Sequence, residues 1–246
     1  VFLRCKITFR TVVHQTTKTH AYNKDLSGAV DPMLHPGADG IRNPTAEWFM
    51  FEVRIHGRGG QGVVTATEML SIAAFQEGRH AQAFPSFGSE RTGAPVVAFC
   101  RIDDKEIRSR EPIMKPDALI VQDPTLLRQI DVFAGLKQDG YVLINTKGTF
   151  EELGLGDIAA NWPANRLCTL PATDLALKHV GRPVPNVPLL AGFAALSGLI
   201  QLESIRQAIE TKFSGKVAQG NFAAATEAFE MVRARIENLR KEAVNA

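Results

Sequence analysis

The stretch GRGGQG, residues 57–62, puts four glycines into six positions between an apolar run, Phe51 to His56, and a helical pattern that begins at Val63. No other stretch restricts the fold as tightly. Glycine tolerates positive φ and lets a ligand or another segment approach the backbone closely. A strand that ends in such a loop and continues as a helix is the opening of an α/β unit, and Gly57, Gly59 and Gly62 satisfy G-x-G-x-x-G. The first amides of the helix then point into the loop, and the helix dipole favours an anion there. Arg58 adds a cationic side chain suited to phosphate. A tight turn that holds nothing can be spelled the same way, so the remainder of the chain has to decide.

From Phe51 onward, strand and helix patterns alternate. Strands are predicted at 51–56, 80–84, 95–102, 118–122, 141–145 and 166–170, and helices at 63–77, 124–137, 172–180, 189–200, 202–213 and 217–242. The all-apolar runs ALIV and YVLI imply strands covered on both faces. Asp103 and Asp104 have the character of a tight turn, which predicts a hairpin between 95–102 and a strand at 105–109. The fold class that follows is α/β: an open, Rossmann-like, mostly parallel sheet with an antiparallel hairpin and flanking helices, occupying 50–246. Segment 217–242 repeats apolar residues at helical spacing, from Phe222 to Ile236, and is amphipathic. Segment 189–200 is apolar nearly all round, which predicts cover from a partner protein.

Residues 1–49 differ from the rest. The stretch 31–48 is rich in Pro, Gly and Asp and has no period, so an irregular arm is expected, with Phe2, Phe9 and Trp48 as apolar anchors on a neighbouring subunit. His14, His20 and His35 match no metal-ligand spacing. The formal charge of +2 gives no basis for binding nucleic acid or an anionic membrane surface. Cys5, Cys100 and Cys168 form no C-x-x-C, which excludes a zinc ribbon or a cysteine-ligated iron–sulfur cluster and suits a reducing cytoplasm. The longest apolar stretch, 188–200, is too short and too interrupted to span a bilayer.

A dinucleotide in the glycine loop requires a carboxylate at the end of the second strand, about 20 residues on, for the ribose hydroxyls. The second strand here runs into Pro85-Ser86-Phe87-Gly88, and Glu77 precedes it at the wrong end, so NAD is disfavoured. A second polar loop, QAFPSFGSERTGAPV (82–96), carries Ser89, Glu90 and Arg91 and leaves the sheet at the same edge. Loops at the carboxyl ends of strands line the ligand crevice of open α/β sheets, so the two loops together define the candidate site.

Three stretches, MFEVRIHGRGGQGVVTATEML, QAFPSFGSERTGAPVVAFCRIDDKEIR and VPNVPLLAGFAALSG, together resemble the gamma subunit of 2-oxoacid:acceptor oxidoreductases, the family that includes pyruvate:ferredoxin oxidoreductase. The resemblance runs from residue 50 to about 240. It implies one subunit of a multisubunit enzyme that oxidatively decarboxylates a 2-oxoacid to an acyl-CoA and carbon dioxide and passes electrons to ferredoxin or a similar acceptor. It further implies alpha, beta and delta-type partner subunits that carry thiamine diphosphate, magnesium and the iron–sulfur clusters. This chain lacks the Gly-Asp-Gly…Asn pattern for magnesium and thiamine diphosphate. The gamma part of such complexes helps to form the coenzyme A site. By position, the residues implied for coenzyme A are Gly57, Arg58, Gly59, Gly60, Gln61 and Gly62, with Ser89, Glu90 and Arg91; no catalytic residue or metal ligand is implied in this chain. The form SERTGAP is closer to the pyruvate branch than to the 2-oxoglutarate branch, with an arylglyoxylate such as phenylglyoxylate as the other substrate class. Two alternatives stay open at the level of sequence: a stand-alone NAD-binding protein, and a purely structural subunit whose glycine loop meets protein.

Overall fold

The computed structural model describes residues 50–86 and 93–245. All of them belong to one compact unit, Pro44–Ala246, and the arm expected at 1–49 lies outside the described residues. Six strands form a single sheet: β1 Phe51–Arg58, β2 His80–Ser86, β3 Pro95–Asp103, β4 Ala118–Val121, β5 Tyr141–Asn145 and β6 Leu167–Leu170. Their spatial order is β2-β3-β1-β4-β5-β6. β1, β4, β5 and β6 run parallel, and β3 is antiparallel to both of its neighbours, so the sheet has one reversed strand.

The two all-apolar strands are buried along their whole length, as their composition predicts. Alternate residues separate two cores. Val53, Ile55, Ala118, Ile120 and Leu143 face the helices, whereas Leu119, Val121, Val142 and Ile144 face a second cluster with Leu126, Val132 and Phe150. The helices are α1 Val63–Gln76, α2 Gly156–Asn161, α3 Ala172–Val180, α4 Asn186–Ser197, α5 Leu202–Lys212 and α6 Gly215–Asn245. Helix α1 buries Val63, Ala66, Met69, Leu70, Ala73 and Ala74, a stripe at three- and four-residue steps.

Three sequence expectations need correction. The hairpin partner at 105–109 does not form; β3 pairs with β2 and β1 instead. Lys105 N–H donates to Asp103 Oδ1, which turns the chain, and the Arg101 guanidinium then takes the carbonyls of Ser109 and Glu111. Those acceptors are thereby withdrawn from any strand ladder. The helix expected at 124–137 is a 3-10 turn, Pro124–Arg128, followed by irregular chain. Arg54 Nη2 donates to the carbonyls of Val132 and Ala134, at 2.9 and 2.6 Å, which competes with helical bonding there.

Helix α4, expected to need a partner protein, is covered by its own chain. A Cβ on Gly192 would lie 2.8 Å from Leu170, 3.4 Å from Val232 and 3.5 Å from Leu143, so β5, β6 and α6 all close on it. An all-apolar helix needs burial, but its sequence does not name the burying element.

Helices α3 and α6 cross at Gly220, where an added Cβ would stand 2.5 Å from the carbonyl oxygen of His179. That neighbour is backbone and has no rotamer to escape into. Gly220→Ala should therefore destabilise the chain by about 1–3 kcal/mol, read as a lowered urea midpoint at unchanged slope. A variant as stable as the parent would show that the crossing has slack.

Candidate functional site

The parallel strands end at one edge of the sheet, and the polar residues gather there. After β1 the chain makes a tight turn in which Gln61 N–H donates to Arg58 C=O at 3.1 Å and Arg58 N–H donates to Gln61 Oε1 at 2.8 Å. Gly60 and Gly62 have φ of 96° and 73°, in the region that favours glycine. Gly62 is the N-cap of α1 and offers no side-chain cap, and a Cβ on it would meet Asn186 Nδ2 at 2.5 Å. Among the described residues, therefore, no side chain caps the α1 N-terminus, which follows directly on the glycine loop. Gly57 lies beneath, packed on Val63 and Gln122, and Gly59 pairs with the returning chain through Gly59 N–H to Ala94 C=O and Gly93 N–H to Gly59 C=O. Ser89, Glu90 and Arg91 lie outside the described residues; the two ends of their loop, Ser86 and Gly93, belong to this same edge.

Arg58 and Gln61 are turned into the protein. Arg58 donates through Nε to Asp123 Oδ2 at 3.0 Å, through Nη1 to Gly93 C=O at 3.1 Å, and through Nη2 to Thr125 Oγ1 and Gln129 Oε1 at 2.7 and 3.0 Å. Gln61 Nε2 donates to the same Asp123 oxygen at 3.0 Å. The other carboxylate oxygen accepts from Thr125 N–H and Oγ1–H. Burial alone would raise the Asp123 pKa; the bonds from Thr125 and Gln61 and the charge of Arg58 outweigh it and hold the group below its ordinary value.

Asp123 and Gln122 are the functional candidates that sequence reading missed. They follow β4 directly, so the rule that ligands sit beyond the carboxyl ends of strands pointed to them, but segment 124–137 was taken up with a helix assignment. Gln122 is 1 % exposed, and neither its Oε1 nor its Nε2 has a partner among the described residues. Beside it, Asn145 Nδ2 donates to Gln122 C=O and to Thr173 Oγ1, which joins β4, β5 and α3 into a continuous polar rim.

The arrangement differs from a dinucleotide site. β2, which would carry a ribose carboxylate next to β1, is separated from it by antiparallel β3. Glu77 closes the far end of α1 and accepts from Gln201 N–H at 2.8 Å. The buried thiols do not meet either: Cys100 on β3 and Cys168 on β6 have three strands between them, and burial pushes them up to about 12 and about 11. Among the described residues no helix is long and apolar enough to cross a membrane.

These features define an open α/β protein with a glycine-loop crevice at the point where strand order reverses. Residues 52–231 match the family described as pyruvate ferredoxin/flavodoxin oxidoreductase. A gamma subunit from Thermococcus litoralis, named as common to pyruvate and ketoisovalerate oxidoreductases, is 49 % identical over 74 % of this chain and 96 % of its own length. Pyruvate synthase subunit PorC of Methanothermobacter marburgensis is 45 % identical over 75 % of this chain and 98 % of its own. The crystal structure of a pyruvate oxidoreductase subunit from Thermotoga maritima superposes with a TM-score of 0.62 at 38 % identity, over 74 % of this chain and 96 % of that one. A 2-oxoglutarate:ferredoxin oxidoreductase from Magnetococcus marinus shares the fold at TM-score 0.59 and 16 % identity, this chain matching 31 % of its length. The chain belongs to the pyruvate ferredoxin/flavodoxin oxidoreductase family, among its gamma subunits.

One group near the site carries a pH signature. His56 is 5 % exposed, has no partner for either ring nitrogen among the described residues, and is lowered to about 4 by burial and then by Arg54. Its folded pKa lies below the unfolded value of 6.5, so the unfolded chain binds the extra proton first. Stability is therefore whole above pH 6.5 and falls as pH drops towards 4, by an amount on the order of 3 kcal/mol for this group. In His56→Leu that segment of the stability-versus-pH curve should flatten. An unchanged acid slope in the variant would show that His56 is protonated or relieved in the native state.

Proposed function

We propose that this chain is the gamma subunit of a multisubunit 2-oxoacid oxidoreductase that oxidatively decarboxylates a short 2-oxoacid, pyruvate first, to the acyl-CoA and carbon dioxide, and that its glycine loop contributes to the coenzyme A site. Thiamine diphosphate, magnesium and the iron–sulfur clusters belong in this reading to alpha, beta and delta-type partners, and ferredoxin or a similar carrier accepts the electrons. The names of the relatives favour pyruvate and ketoisovalerate over an arylglyoxylate. A relative named as common to two oxidoreductases also supports a subunit indifferent to the oxoacid side chain, which partner chains would then select.

The observation that carries the coenzyme A part is the N-terminus of α1, which no side chain caps among the described residues and which follows left-handed Gly60 and Gly62. Phosphate oxygens suit free helix amides. Coenzyme A supplies the thiol that takes the acyl group; this chain would orient it and exclude water from one side.

Gly60 tests the assignment cleanly, because a Cβ there meets nothing within 4 Å and the only local cost is backbone strain at φ 96°. That strain is on the order of 1–2 kcal/mol for an L-residue in the left-handed region; with the free loop relaxing and the ligand restoring the left-handed turn, Gly60→Ala should weaken coenzyme A by roughly five- to thirtyfold. Calorimetric titration of the assembled complex with coenzyme A measures it. An unchanged dissociation constant in a fully assembled complex would remove the glycine loop from the coenzyme site.

A further inference from the structure

We infer that Asp123 is a positioning residue: it turns Arg58 and Gln61 inward and so sets the glycine loop with the Gly60 and Gly62 amides, rather than those two side chains, facing the ligand. The inference rests on the coenzyme A reading above and deepens it. The geometry begins with a single oxygen. Asp123 Oδ2 accepts both from Arg58 Nε and from Gln61 Nε2, each at 3.0 Å. Arg58 and Gln61 are the two non-glycine residues of the loop, so one carboxylate oxygen gathers both of its side chains. Oδ1 meanwhile binds Thr125, which anchors the carboxylate to the turn after β4 and keeps it from rotating away.

The guanidinium extends the same body. Arg58 reaches Thr125, Gln129 and Gly93 as well as Asp123, and the Gly59–Ala94 and Gly93–Gly59 backbone bonds lie alongside. Three segments from the carboxyl edge, the loop after β1, the chain entering β3 and the turn after β4, are held as one unit. A lysine would keep the charge of Arg58, but its single head could not serve four separated acceptors. The consequence for recognition is specific. The Arg58 and Gln61 side chains are withdrawn from the loop, Gly60 has open space beside it, and among the described residues no side chain caps the first amides of α1.

The test uses Asp123→Asn, which keeps the shape and loses the charge and one acceptor. Arg58→Lys serves as a second variant should the first fail to fold. In the full chain, hydrogen exchange at the Gly59 and Gly93 amides should rise by about tenfold or more in either variant, because their bonds lie inside the body that Asp123 ties together. In the assembled complex the KM for coenzyme A should rise about tenfold while kcat changes far less, a split that general unfolding would not produce. Protected amides in both variants would overturn the inference. So would an unchanged coenzyme A KM in Asp123→Asn when Gly60→Ala raises it, or a fall in kcat that matches the rise in KM. Unchanged affinity in both Gly60→Ala and Asp123→Asn would instead sink the coenzyme A reading, and with it the ligand half of the inference.

Discussion

The structure depends on the placement of β1 between one antiparallel and one parallel neighbour. Its residues alternate between two environments: Val53, Ile55 and Gly57 face the helices, and Arg54, His56 and Arg58 face the irregular cover formed by 123–134. A slip of one residue would put three basic side chains into the helical core, so the register is strongly specified. The same alternation explains why the second face needs no long helix. Arg54 bonds the backbone carbonyls at 132 and 134, which a helix would otherwise have to satisfy, and Arg58 ties down the side chains of Asp123, Thr125 and Gln129. Charge at these positions costs desolvation and is retained because each guanidinium is multiply bonded.

What could be read from sequence was whatever depends on local pattern. β4 and β5 are short, largely apolar runs buried on both faces, and α1, α3, α5 and α6 follow their periodicity to within a few residues. The failures share a cause. The hairpin expected at Asp103-Asp104 and the helix expected at 124–137 were locally reasonable, and each was overruled by an arginine on a strand that captured the backbone carbonyls those elements need. Helix α4 shows the complementary limit: composition demands burial on all sides, and only the folded chain shows that β5, β6 and α6 provide it.

The candidate site divides along the same line. The glycine loop stood out because its residues are contiguous and their conformational requirement is local. Asp123 did not, because its partners Arg58 and Gln61 lie 65 and 62 residues away and meet it only once β1 and β4 are paired. Arg58 illustrates how a motif can mislead at the level of one side chain. Adjacent to glycines it suggests a phosphate-binding cation, yet in the fold it is a structural fork paired with a carboxylate.

That inward turn changes the physics expected of the crevice. With Arg58 neutralised locally by Asp123, an anion at the proposed site would meet helix amides and the macrodipole, whose effect fades within the first turn. A site of that kind discriminates by shape and by hydrogen-bond complementarity more than by long-range attraction. Each unsatisfied buried polar atom costs about 1–3 kcal/mol, and a purely structural position beneath a strand-to-helix turn could be filled by an apolar residue of similar size without that cost. Local rules broken without structural compensation concentrate at functional sites. Gln122, with both amide atoms unpartnered among the described residues, is such a position, and at 1 % exposure its amide meets a ligand only if the cover over it shifts.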